Sequence, residues 1–216
     1  MTPISAHPLL KPAVDVPLIL PAAQCQSLRH AYAAPSRAYH HFGHVQDVLA
    51  HYREVDAEHG WHCPNEVWLA VLYHDAVYVP GRSDNEAASA HLAIEHIERR
   101  WPQPGIDSRR VADLILLTAH HGSLRVEDTG TGEAGEDARL FLDCDMAVLG
   151  AAPEAFAAYD REIAEEYSAV PRWLYRIKRR KFFRKLLASD SIFLSEFFRE
   201  RFEAQARRNL QAALKA

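Results

Sequence analysis

Apolar residues recur every three or four positions from about residue 22 to the C-terminus, and no convincing alternating run suited to a half-buried strand interrupts them. This period restricts the chain to helices packed on helices. Tyr39, Phe42, Val45, Val48, Leu49 and Tyr52 make one stripe over 37–58, stopped by Gly60. Pro64 suits a first helical turn and opens the next segment. There Val67, Val71, His74 and Tyr78 share one face, with Trp68, Leu72 and Asp75 on the adjoining one. Val79-Pro80-Gly81 ends that helix. Asp84 or Asn85 caps a helix over about 86–101, and Trp101-Pro102-Gln103-Pro104-Gly105 breaks the chain.

Asp107 or Ser108 caps the run Val111–Leu117, which leads into His120-His121-Gly122. Residues 127–137, rich in Gly and acids, read as a mobile loop. Leu140–Leu149, Pro153–Tyr167 and two long helices from about 170 to 214 complete the chain. The expected fold is all-α, a single multi-helix domain over 22–216 behind a proline-rich lead-in over 1–21. No internal repeat or linker divides it.

Composition excludes several classes. With 48% hydrophobic residues in 216, the chain can bury one sizeable core. A net charge of -4 gives no reason to expect a global nucleic-acid binder. Cys25, Cys63 and Cys144 are odd in number, far apart and form no CxxC pair. Neither a disulfide framework nor a thiolate zinc site is expected, and a reducing cytoplasm fits. The N-terminal apolar residues are broken by prolines, and no stretch is long enough to span a bilayer. No membrane partner is therefore expected.

His74-Asp75 stands out against this background. Neighbouring helix residues point about 100° apart, so both can reach one point at a helix end. Burying an unpaired carboxylate is costly, and a helix C-terminus disfavours negative charge. A bound divalent cation removes both penalties. An Asp–His pair that merely fixes the core is the alternative, and for the dipeptide alone it is the better one. The surroundings favour the cation. His40 and His44 lie four apart, as on one helix face, with Val45, Val48 and Leu49 following. Asp143 and Asp145 sit inside the apolar run Phe141–Leu149. Asp143 suits a helix N-cap, whereas Asp145 points inward with Val148 and Leu149. A mixed imidazole and carboxylate set suits Mn, Mg, Fe, Co or Ni more than structural zinc.

The order His44, His74-Asp75, Asp145 in an all-helical chain resembles the HD superfamily of metal-dependent phosphohydrolases. More closely, it is similar to a bacterial family of small predicted HD phosphohydrolases. Matching pieces are Arg37-x-Tyr39-His40-x-x-x-His44-Val45, Ala70-x-x-Tyr73-His74-Asp75-Ala76-Val77-Tyr78, and Asn85-Glu86-x-x-Ser89-Ala90. They continue through Thr118-x-x-His121, Phe141-Leu142-Asp143-x-Asp145, Glu166-Tyr167, Tyr175-x-x-x-Arg179 and Ala206-Arg207-x-Asn209-Leu210, covering roughly 25–214. Cys144, Ala164 and Lys178 depart from the family pattern.

The resemblance implies an HD-domain-like bundle and a hydrolase that cleaves a small phosphate ester or anhydride, a nucleotide being the expected class. It implies attack by a metal-bound water, with His44, His74, Asp75 and Asp145 as ligands. Asp143 is the alternative for the last position, or an acceptor that orients a ligand His. Glu86 would position water or act as general base, or else only satisfy the dipole at a helix start. His40 and His121 would donate to phosphate or protonate the leaving oxygen, or join a second metal. For His121 a solvent-facing position at a helix end is the alternative.

Arg172, Arg176, Lys178, Arg179, Arg180, Lys181, Arg184 and Lys185 form the one strongly basic segment. A solvated helix face is its ordinary meaning, with Arg179 reaching phosphate. A non-catalytic nucleotide sensor and an RNA-associated protein using 172–185 are the competing functions.

Overall fold

The structure, a computed structural model, describes residues 17–100, 102 and 105–215. Most of the proline-rich lead-in and most of the break at 101–105 therefore lie outside the described residues. The described chain is helical and contains no strand. Its elements are α1 (Ala22–Ala31), α2 (Phe42–Glu58), α3 (Pro64–Tyr73), α4 (Asn85–Glu95), α5 (Ser108–Thr118), α6 (Gly132–Met146), α7 (Pro153–Glu166), α8 (Arg172–Ala188), α9 (Glu196–Phe198) and α10 (Ala204–Lys215). One π-helical turn, His96–Arg100, prolongs α4, and a second, Arg199–Glu203, joins α9 to α10.

Local chemistry explains most boundaries. Pro64 occupies the first turn of α3, where a missing N–H costs nothing. The Asp107 carboxylate accepts from the backbone N–H groups of Arg109 and Arg110 and so caps α5. His41 performs the same task for α2, its ring accepting from Gly43 N at 2.8 Å. Tyr39 and His40 therefore precede α2 in a turn instead of sharing its face with His44.

Three further expectations are corrected. First, α3 ends at Tyr73, with His74 as its C-cap, so Asp75 and Tyr78 lie beyond the helix. Second, Asp84 stands at the start of α4 but makes no cap bond. Its carboxylate takes the Arg82 guanidinium, and the Asn85 amide instead bonds both the N–H and the C=O of Val79. Third, 127–137 is not one loop. A 3₁₀ turn spans Val126–Thr129, and α6 starts at Gly132. Asp137 is wholly buried there and accepts from the backbone of His62 and Cys63 just before α3. That anchoring orders a segment whose composition alone suggests mobility.

α3 is the core. Every residue from Glu66 to Tyr73 is buried. α2, α4, α5 and α6 pack around it. Trp68, Tyr73 and Phe141 are among the largest side chains fully removed from water. Each such burial stabilises by roughly 1.5–3 kcal/mol. At the far side the last helices close on the 3₁₀ turn Ala147–Gly150. A Cβ on Gly150 would lie 2.6 Å from the Phe202 Cβ, so only glycine permits that approach. No described helix is long and apolar enough to cross a membrane.

Candidate metal centre

The C-terminal end of α3 brings its two polar residues to the first turn of α2 and the last turn of α6. His74, 1% exposed, bonds the Val71 carbonyl through Nδ1 at 2.9 Å. That bond turns its Nε2 lone pair toward His44 Nε2, 3.2 Å away. Asp75 Oδ2 lies 3.1 Å from His74 Nε2 and 3.7 Å from His44 Nε2. Asp145 approaches from α6, with Oδ1 2.9 Å from His44 Nε2 and 3.6 Å from His74 Nε2. Ligand atoms of His44, His74 and Asp75 lie within 4.8 Å of one another and form a cluster that could hold a metal ion.

The donor set fits such an ion. Bonds of roughly 2.1 Å to one centre leave neighbouring ligand atoms about 3–3.4 Å apart, near the separations seen here. Two imidazole nitrogens face each other between two carboxylates, an arrangement that calls for positive charge. Without an ion, protons must supply it. Burial opposes charging His74, but Asp75 and Asp145 outweigh it and lift its pKa to about 9. Burial would raise Asp75, yet His74, His40 and His44 hold it far below the usual carboxylate range. Asp145 is held low against burial in the same way, chiefly by His74 and His44. An incoming cation would displace the His74 proton and take over its electrostatic role.

Asp143 is neither a ligand nor an N-cap. It lies within α6, and its carboxylate points away from His44 and His74. It accepts from Leu194 N at 2.8 Å, Ser195 N at 2.7 Å and Ser195 Oγ at 2.6 Å. Residues two apart on a helix point about 200° apart, so Asp143 and Asp145 serve opposite sides of α6.

Above the cluster opens a cleft of about 830 Å³, whose lining includes Asp75, Asp145, His40, Glu86, His121 and Arg179. His44 and His74 are buried beneath it. His40 is tied down: Nδ1 meets Glu166 Oε2 at 2.6 Å, and its ring packs on Tyr78 at 4.1 Å. Burial opposes protonation of His40, but Asp75 and Glu166 raise its pKa. His121 places Nδ1 3.4 Å from Asp145 Oδ2, and its buried Nε2 has no hydrogen-bond partner. Burial holds its pKa below the ordinary imidazole value, against the pull of Asp145. Gly122 turns the chain there at φ +69°, a conformation L side chains rarely adopt.

Arg179 donates to Asp160 through Nε at 2.9 Å and lies over the rings of Tyr159 and Phe183. Its buried Nη2 has no partner, and neither has the buried hydroxyl of Tyr175 one turn earlier on α8. Burial raises the Tyr175 pKa to about 12, so the phenol remains a donor. Glu86 sits half-buried in the first turn of α4, on the cleft wall.

Two structural roles escape the sequence. Arg37, 7% exposed, donates to the carbonyls of His40 at 2.8 Å, Asp75 at 2.7 Å and Ala76 at 3.1 Å. It is sandwiched by Tyr32 and Tyr78 at 5.0 and 5.4 Å. It thus pins the His40 turn to the end of α3. Glu166 accepts from Tyr39 N and His40 N, 126 residues from His40. A lone Arg before a helix and a Glu ending another carry no sign of these partners. Arg37→Ala leaves three carbonyls short of a donor. It is expected to cost about 3 kcal/mol of stability and to weaken Mn binding roughly 10–100-fold. Urea unfolding and equilibrium dialysis measure the two effects.

No family model, curated protein or solved structure matches the chain. The chemistry of the cleft therefore carries the functional reading.

Proposed function

We propose that the protein is a metal-dependent phosphohydrolase acting on a small phosphate ester or anhydride, with a nucleotide as the expected substrate. One observation carries this reading. The floor of the cleft is a two-imidazole, two-carboxylate cluster suited to a divalent cation, and its walls hold buried donors without partners at Arg179 Nη2 and Tyr175 Oη. Unpaired buried donors are costly, and phosphoryl oxygens would satisfy them. His44, His74, Asp75 and Asp145 would hold Mn, Mg, Fe, Co or Ni. When bound, such an ion supplies charge that acidifies water and offsets negative charge growing on phosphoryl oxygens.

The protein's own groups do the rest. Arg179 and Tyr175 bind and orient the phosphoryl oxygens. His121, its Nδ1 held against Asp145, turns Nε2 to the leaving oxygen and donates to it in the protonated form. Glu86 takes the proton of the attacking water. His40, fixed by Glu166 and Tyr78, closes the side of the cleft and orders Asp75 through the Arg37 clamp. Phosphate or pyrophosphate release from a panel of nucleotides and simple phosphoesters, with and without Mn, tests the reading. Metal-dependent release supports it. Tight nucleotide binding without release would instead make the cleft a sensor pocket.

Glu86→Gln is expected to slow turnover by about 10²–10³-fold while metal content stays unchanged. Metal analysis beside the kinetics checks this, since loss of the ion would make Glu86 a ligand and not a base.

A further inference from the structure

We infer that the outward face of α8 docks the protein on an anionic phospholipid surface, peripherally and independently of the metal centre. Over its seventeen residues α8 carries eight Lys or Arg and no Asp or Glu. The whole chain is -4 and α8 alone +8, so the other residues together are -12. Charge is thus strongly segregated onto one helix.

Two of the eight cations are engaged: Arg179 holds Asp160, and Arg180 donates to the Leu214 carbonyl. Arg172, Arg176, Lys178, Lys181, Arg184 and Lys185 are exposed and pair with no described acid. α10, which packs against α8, contains no acid and adds Arg208 and Lys215, while its Arg207 is paired with Glu203.

The apolar residues of this face decide the occupant. Trp173 is 66% and Ile177 58% exposed. At 100° per residue, Trp173, Ile177, Lys181 and Arg184 fall within an arc of about 80°. Phe183 and Leu186 turn inward, while Leu174, Tyr175, Lys178, Arg179 and Phe182 line the cleft. A Trp–Ile pair ringed by cations is the composition of an interfacial helix face, where the ring and aliphatic chain enter the headgroup boundary and the cations meet anionic lipid. Nucleic acid fits less well, because only Trp173 of the pair offers a ring on which a base could stack and the exposed Ile177 has no use there. A second copy of this face would bring like charges together. The lack of a membrane-spanning stretch concerns crossing a bilayer and not lying against one.

Flotation of the full chain with phosphatidylcholine vesicles, with and without phosphatidylglycerol, tests the inference. The protein is expected to float only with the anionic vesicles, less so at high salt. K181E/R184E and W173A/I177S change exposed residues, so both variants should keep the wild-type circular dichroism. Each double variant is expected to lower partitioning at least about tenfold. Failure to float with anionic vesicles at low salt overturns the inference. So does flotation unaffected by W173A/I177S, single-stranded RNA outcompeting the vesicles, or salt-sensitive self-association in place of lipid binding. The metal-cluster variant Asp75→Ala should float normally, which separates this result from the fate of the proposed hydrolase.

Discussion

Asp75→Ala is expected to abolish the proposed metal-dependent hydrolysis, lowering turnover by about 10³-fold or more, equivalent to roughly 4 kcal/mol of transition-state stabilisation. Asp75 is the carboxylate of the compact ligand group, 3.1 Å from His74 Nε2. Its removal leaves two imidazoles facing one remaining carboxylate, so Mn binding should fall with activity. The fold should survive, because Asp75 lies beyond the end of α3 and the Arg37 clamp grips its backbone carbonyl, which alanine keeps. Phosphate release, Mn content and circular dichroism together check the outcome. Full activity in this variant would remove the cluster from the mechanism.

The second large effect is on stability. Asp143→Ala should cost about 3–6 kcal/mol, because it strands two backbone N–H groups and one hydroxyl in a region where Asp143 itself is 1% exposed. Those donors begin the turn into α9, so the loss should loosen the packing of the C-terminal helices on α6. Ser195→Ala removes only one partner and should cost about 1 kcal/mol. Urea unfolding of both variants orders them, and a near-neutral Asp143→Ala would show that the turn finds other acceptors. Any Asp143→Ala protein that remains folded should still bind Mn, because this carboxylate faces away from the cluster.

Asp143 and Asp145 also show how far the sequence could be read. Pro64 and the Asp107 cap place the starts of α3 and α5, because these signals act within a single turn of chain, whereas helical period alone begins α2 at 37 and carries α3 to Tyr78, beyond the observed Phe42 start and Tyr73 end. Collecting His44, His74, Asp75 and Asp145 at one point was legible from their order and their apolar neighbours. Which of the two α6 carboxylates faces the cluster was less so. Both interrupt the same apolar run, and the choice depends on Leu194 and Ser195, 51 and 52 residues away. His40 was misplaced onto a helix face for a related reason: the His41 cap that starts α2 at Phe42 depends on one ring turning back to Gly43. The Arg37 and Glu166 contacts were invisible because their partners are mostly backbone groups, which leave no residue signature. The acidic, Gly-rich 127–137 segment looked mobile because Asp137 finds its donors only once α3 is in place.

The ligands of the cluster come from the start of α2, the end of α3 and the end of α6, spanning positions 44 to 145. No local stretch of the unfolded chain holds them together. Whatever free energy an ion releases on binding is therefore realised only in the folded form, and by linkage it adds to folding stability. The same groups that would carry the chemistry would then act as a clasp across distant parts of the chain, with the resistance of the protein to unfolding rising with the supply of its ion.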